Sequence, residues 1–465
     1  MRPARVSAPA LRAEWLVREI AVIGLARSGR AVATLLARSG NVVYASDAGR
    51  SDELRATASV LEGEGINVDV GTHNLDRIAR ASLVVVSPGV PPDVPAIRTA
   101  VDRGIEIVSE VEIALRFLPN ASYVATTGTN GKTTTTALID HLLRALGHRA
   151  VAAGNIGTPL SEIALQPVPP PWIALEVSSY QLHFTPIIAP AVGVLTNLSP
   201  NHLDRYTNVE EYYADKQLLF RNASPASHWV TNADDADSQR LSASAAGVHA
   251  RFSVTKPAEA WYDRDEQSLV VLGERLIGRE ELALLGDHNV ANALSAALAV
   301  MLADSNHRSP AAIQRISDGL RGFRSLEHRI EAVAEVDGVL WINDSKSTNV
   351  ASTLVALRGM SQPTVLLLGG KHKGEPYSAL APQLKRVVKR VIAYGQAAPE
   401  IMRDLAGIIE VEQGGGDFAK VIERARRAAA PGDVVLLSPA CSSFDMFENY
   451  ERRGSEFKRL VSRMQ

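Results

Sequence analysis

Residues 127–134 read Thr-Gly-Thr-Asn-Gly-Lys-Thr-Thr, which places two glycines, a lysine and several hydroxyls at the spacing a polyphosphate requires. Gly128 and Gly131 let backbone N–H groups come close to phosphate oxygens, Lys132 adds a point charge, and Thr133 can hold a Mg²⁺ ion. Thr129, Asn130 and Thr134 complete the loop. The first glycine of a full G-x-x-x-x-G-K-[ST] loop would fall at Thr126, so the match is to a shortened form. Further on, Glu176 stands at the end of the apolar run 172–177. A carboxylate at the C-terminal tip of a parallel strand points toward the ligand crevice. There it either gives Mg²⁺ a hard oxygen ligand or serves as a strand-end ion-pair partner.

These residues must be held by strands and helices, and the patterning supplies them. Short β-branched runs alternate with amphipathic stretches through most of the chain, the signature of α/β folds with parallel sheets. The first run, 20–23, leads into Gly24-Leu-Ala-Arg-Ser28-Gly29, a helix over 30–38 and a closing Gly40. Strands over 41–45, ending at Asp47, and 82–86, running into Ser87-Pro88-Gly89, complete a Rossmann-like opening. A second unit has a strand at 123–125, the glycine loop, a helix over 133–146 and strands at 172–177 and 191–196. A third has strands at 339–342, 364–368, 390–394 and 434–438. The expected architecture is α/β in three domains. Residues 1–110 are Rossmann-like, 111–325 form a P-loop ATPase-like parallel sheet, and 326–465 are again Rossmann-like.

The bulk composition excludes several classes. With 49 basic and 51 acidic residues the net charge is −2, which offers no field for nucleic acid or a membrane surface. Cys441 is the only cysteine, so no internal disulfide is possible. The N-terminus lacks an apolar stretch of signal-peptide length, and later apolar runs are far too short to span a bilayer. A cytoplasmic monomer is expected.

The form T-G-T-N-G-K-T resembles the ATP loop of the Mur ligases and of their folylpolyglutamate synthetase relatives. The resemblance implies ATP and Mg²⁺ as cofactors and assigns further residues. His202 would help to hold a second metal beside the substrate carboxylate. Lys216 would carry a CO₂-derived carbamate, the alternative being a solvated lysine on an amphipathic helix. By the same resemblance Arg329 and Asp344 meet the ribose or phosphates, Asn289 the adenine side, Asn155 the muramoyl substrate, and Lys346 and Thr348 the incoming amino acid. The nucleotide would then be clamped by two domains. Gly24 to Gly29, Ser28, Asp47, Ser87 and Gly89 form the expected nucleotide-sugar cradle, although Arg50 comes one residue later than the family pattern.

The stretch 438–457 resembles the family members that add D-glutamate, and the D-N-P-R/N signature of the diaminopimelate- or lysine-adding members is absent. Ser443 and Phe444 would meet the glutamate carboxylate, with Lys373 as counter-ion and Lys371 competing for that role. Phe447 reads as core and Cys441 as structural. The implied reaction is ATP-dependent ligation of D-glutamate to UDP-N-acetylmuramoyl-L-alanine through an acyl phosphate, in cytoplasmic peptidoglycan precursor synthesis. A related ligase adding L-glutamate or another amino acid is the alternative. The opening Rossmann-like unit weighs against a folylpolyglutamate synthetase, which begins directly with the ATP domain. The missing middle glycine between Gly24 and Gly29 weighs against a nicotinamide oxidoreductase. A non-catalytic nucleotide switch leaves Glu176, His202 and Lys216 unexplained.

Overall fold

The structure, a computed structural model, describes residues 11–200, 206–324 and 327–464. Three sheets carry the strands. The first orders Asn67–Val70, Val43–Asp47, Ile20–Ile23, Leu83–Val86 and Ile107–Ser109 side by side, all parallel. Ile20–Ile23 and Leu83–Val86 are buried along their whole length, as continuous apolar runs of a sheet covered on both faces should be. The switch in strand order falls between these two strands, where the chain leaves at Gly24 and Ser87. Open parallel sheets bind ligands at such a point.

The second sheet has nine strands. One end of it, all parallel, runs Val192–Leu195, Ser122–Thr127, Trp172–Glu176 and Ala150–Gly154, placing the phosphate loop and Glu176 at the ends of adjacent strands. Its far end turns antiparallel through Ala260–Asp263, Ser268–Val271 and Glu274–Gly278. The third sheet orders Glu331–Val336, Val339–Asn343, Val434–Leu437, Thr364–Gly369, Val388–Tyr394 and Val411–Gly415, with only the first pair antiparallel.

The chain forms two compact units, residues 1–279 with 291–322, and 280–290 with 323–465. The first holds two of the sheets and the second holds the third. In the first unit one apolar cluster joins Leu35 and Leu36 of the opening helix to Leu160, Ile173 and Leu195. In the second, Phe418 meets Phe447 edge-on at 5.1 Å, in line with the core reading of Phe447. Cys441 is buried against the Tyr377 hydroxyl at 2.9 Å, in line with a structural role. Among the described residues no helix is long and apolar enough to cross a membrane.

In the opening unit two elements differ from the expectation by two residues or more. The opening helix begins at Arg27, three residues early. The strand expected over 41–45 runs Val43–Asp47, because the Asn41 amide caps the preceding helix by donating to Leu36 O and Ser39 Oγ. The strand ends at Asp47, whose carboxylate stands at its tip.

Candidate active site

The phosphate loop is held rigidly before any ligand is considered. Gly128 adopts φ +143°, and a Cβ there would lie 2.0 Å from Thr196 Oγ1, so no other residue fits without displacing the neighbouring strand end. Asn197 Oδ1 accepts from the Asn130 N–H at 2.9 Å, and its Nδ2 donates to Asn130 O. Thr129 Oγ1 reaches Ser199 O at 3.1 Å and the Tyr212 hydroxyl at 3.3 Å. Lys132 opens the helix Lys132–Ala145 and curls back to donate to the carbonyls of Gly128 and Thr129, at 3.0 and 2.8 Å. Thr133 and Thr134 are buried in the first turn. Loop amides, a helix N-terminus and a cation thus converge as a polyphosphate would need. The sequence alone gives Asn197 no role. Only the fold shows that its side chain splints the loop.

Glu176 is buried at the tip of its strand. Its Oε1 accepts from Asn155 Nδ2 at 2.8 Å, while Oε2 is buried with no hydrogen-bond partner among the described residues. No cation among the described side chains pairs with it, so the ion-pair reading of this carboxylate lacks its partner. A buried carboxylate oxygen left open in this way fits a hard cation such as Mg²⁺.

Lys216 lies on the helix Val209–Gln217, 1 % exposed, with its amine 4.7 Å over the Tyr212 ring. Burial and then the charge of Lys132 push its pKa well below the usual 10.5, with Asp215 and Glu176 pulling the other way. Lys132, Glu176 and Lys216 therefore share one electrostatic environment. The solvated-lysine alternative does not survive this burial. Asp215, next in the chain, is committed to His183 and to the Tyr206 hydroxyl. His202 lies outside the described residues.

The first sheet and the phosphate-binding sheet also enclose a cavity of about 490 Å³. Its lining includes Gly24, Ser28, Asp47, Ser87, Gly89 and Asn155, all expected to cradle the nucleotide-sugar and its muramoyl portion. Asp47 accepts from the Leu25 N–H at 2.7 Å and the Gly49 N–H at 2.8 Å, fixing the turn after the first strand. Ser87 Oγ donates to Gly24 O at 2.9 Å. A Cβ on Gly29 would lie 1.7 Å from Gly24 O, so a glycine there is what lets the helix start so close to the strand. Arg50 packs over Gly71 and is not part of the cavity wall. Asn155 on the cavity wall donates to Glu176 Oε1, so the wall and the buried carboxylate are joined by one hydrogen bond. His73 also lines it and was not singled out in the sequence, since nothing in local pattern marks a turn histidine.

In the second unit Asp344 is buried, accepting from Ser347 Oγ at 2.5 Å, Ser438 Oγ at 2.8 Å and the Ile330 N–H at 3.2 Å. Burial raises its pKa to about 6 in spite of these bonds and of Arg329. Lys373 Nζ donates to Thr348 Oγ1 at 3.4 Å, so two of the residues expected to meet the amino acid are neighbours. Lys346 sits 5.2 Å over the Tyr450 ring. Lys371 instead exchanges backbone hydrogen bonds with Ser442, joining its loop to Ser443 and Phe444. Ser443 is buried, and Phe444 is 70 % exposed. Asn289 donates to Leu285 O at 2.8 Å. Arg453, given no role in the sequence, is fully buried and donates to Ser345 O, Gly369 O and Cys441 O, tying three of these loops together.

Comparison with known proteins gives three family matches along the chain. Residues 18–109 match the model of a Mur ligase MurD-like N-terminal domain, 126–300 the Mur ligase middle domain, and 328–441 the Mur ligase glutamate ligase domain. The UDP-N-acetylmuramoylalanine–D-glutamate ligase of Salinibacter ruber is 40 % identical, over 95 % of this chain and 96 % of its own. That of Myxococcus xanthus is 40 % identical, over 96 % of this chain and 98 % of its own. Among solved structures, the UDP-N-acetylmuramate-alanine ligase of Thermotoga maritima aligns at a TM-score of 0.60 and 20 % identity, covering 96 % of this chain and all of that one. The MurF ligase of Thermotoga maritima, in complex with ADP, aligns at 0.60 and 17 %, covering 98 % of this chain and all of its own, and so shares the fold.

Proposed function

We propose, because the chain belongs to the Mur ligase family of ATP-dependent amide-bond-forming enzymes, that it joins D-glutamate to UDP-N-acetylmuramoyl-L-alanine in peptidoglycan precursor synthesis. The observation that carries the chemistry is the buried Oε2 of Glu176, without a hydrogen-bond partner among the described residues, on a carboxylate that takes the Asn155 amide and shares the electrostatic environment of Lys216. The nucleotide-sugar occupies that cavity with its alanine carboxylate toward Glu176. The phosphate loop from Gly128 to Thr134 holds the triphosphate.

A carboxylate oxygen of the substrate attacks the γ-phosphorus, and the bond to ADP breaks. Two anions must meet for this, and Lys132 screens their repulsion. Mg²⁺ held by Thr133, Glu176, His202 and Lys216 would supply further screening and align the phosphoryl group. For Lys216 to contribute it must become an anionic oxygen ligand, and its depressed pKa keeps the amine neutral enough to add CO₂ and lose a proton as a carbamate. The acyl phosphate is then attacked by the glutamate amine. The tetrahedral intermediate collapses, phosphate leaves, and the amide remains.

The amino acid is assigned to Lys346, Thr348, Lys373, Ser443 and Phe444, with Lys373 preferred over Lys371 because its side chain lies beside Thr348. Asn289, Arg329 and Asp344 are assigned to the nucleotide. Residues 1–110, 111–325 and 326–465 then serve as substrate, ATP and amino-acid domains of a cytoplasmic monomer. Phosphate release should be measured with ATP, UDP-N-acetylmuramoyl-L-alanine and a panel of D- and L-amino acids that includes glycine and D-aspartate. Turnover confined to D-glutamate is expected. Turnover with L-glutamate instead would select the alternative ligase, and release independent of the nucleotide-sugar would overturn both.

A further inference from the structure

His73 takes no part in the chemistry above, yet it forms part of the cavity wall. Its Nδ1 lies 2.9 Å from the hydroxyl of Ser46, itself fully buried on the strand that ends at Asp47. The next residue, Asn74, gives its N–H to the Tyr44 hydroxyl at 2.8 Å, and that hydroxyl donates to Asp69 at 2.8 Å. The turn carrying His73 is therefore fastened to the sheet at two points, and the ring's rotation is fixed. With Nδ1 committed to Ser46, the ring atom left for a ligand is Nε2.

Two features indicate which part of a ligand it meets. Burial pushes the imidazole pKa down against the opposing pull of Asp47 and Asp69, so the ring is neutral. A neutral imidazole offers one directional hydrogen bond and no charge, which suits a planar uncharged heterocycle better than a phosphate. The cavity wall also has distinct parts. Asn155 bonds Glu176 and belongs to the reacting acid, whereas Asp47 and His73 follow the two outermost strands on one side of the first sheet. A substrate with its acid at Asn155 brings its other end, the base, to Asp47 and His73.

We propose that His73 is a specificity residue that hydrogen-bonds the edge of the pyrimidine base of the nucleotide-sugar through Nε2. The proposal rests on the functional reading above and names a contact that reading leaves open.

The full-length protein, with His73→Ala and His73→Gln variants, should be titrated with UMP and CMP, and its steady-state constants measured. One lost hydrogen bond predicts a UMP affinity roughly three- to tenfold weaker in His73→Ala, with a smaller loss in His73→Gln. The ratio of UMP to CMP affinity should collapse toward unity. KM for the nucleotide-sugar should rise by the same factor, with kcat and KM for ATP unchanged. Unchanged UMP affinity in both variants overturns the proposal. So does an equal loss for UMP and CMP, which would mean that His73 only supports the shape of the wall. Failure of the wild-type enzyme to turn over would defeat the functional reading, while the UMP titration would still decide the role of His73. If His73→Ala does not fold, His73→Gln decides.

Discussion

Replacing Lys216 by methionine tests the burial argument without reference to the reaction. The folded protein holds this amine almost wholly out of water, beside Lys132, so its pKa lies well below the 10.5 of an exposed lysine. Between the depressed folded value and 10.5 the unfolded chain binds one more proton than the folded one. Stability must then rise with pH across that window. One proton corresponds to a slope of about 1.4 kcal/mol per pH unit. Methionine fills similar space and titrates nothing. Urea unfolding of both proteins at successive pH values up to about pH 10 in bicarbonate-free buffer should therefore give a stability difference, variant minus wild type, that shrinks as pH rises, by up to about 1.4 kcal/mol per pH unit. The variant should be the more stable at the lower end and inactive throughout. Parallel stability curves would refute the claim that Lys216 is buried with a depressed pKa. A variant with full ligase activity would refute its catalytic assignment.

Other outcomes follow from the same geometry. Lys132→Ala should lower phosphate release at least about a hundredfold with the fold intact, as judged by melting temperature. Gly128→Ala, whose Cβ would meet Thr196 Oγ1 at 2.0 Å, should weaken ATP binding measured by titration calorimetry. Glu110 is fully buried, its Oε1 taking the Ser161 N–H, and burial raises its pKa from 4.5 to about 7. Here the folded state binds the extra proton, so stability falls as pH rises from about 4.5 to about 7. Glu110→Gln should remove that fall and be more stable by roughly 3 kcal/mol at pH 8, read from urea midpoints. Tyr377→Phe removes the hydroxyl that joins His372 to Cys441 and should cost about 1–2 kcal/mol while raising KM for glutamate through the loop carrying Lys373.

What the sequence disclosed and what it withheld divide along a physical line. The phosphate loop was legible because its glycines, lysine and threonines act through local backbone geometry, and Glu176 because a strand tip points its side chain toward the crevice. Fully buried strands such as Thr364–Gly369 were legible as continuous apolar runs. The antiparallel strands near 260–278 were not, since their alternation is short and broken by the left-handed Gln267 and Leu272. Asn197, His73 and Arg453 share one reason for being missed. Each works by joining segments distant in sequence, and no spacing records that. Arg453 bonds Ser345, 108 positions away, and a guanidinium so deeply buried reads in sequence as one more surface charge.

The central claim is that a triphosphate on the loop around Lys132 is attacked by an acid held beside Glu176. The most direct test uses UDP-N-acetylmuramoyl-L-alanine labelled with heavy oxygen in its alanine carboxylate, turned over with ATP and D-glutamate, with the released phosphate examined by mass spectrometry. The account predicts that each phosphate carries a single labelled oxygen taken from the substrate acid. Unlabelled phosphate formed in step with the amide product would contradict it.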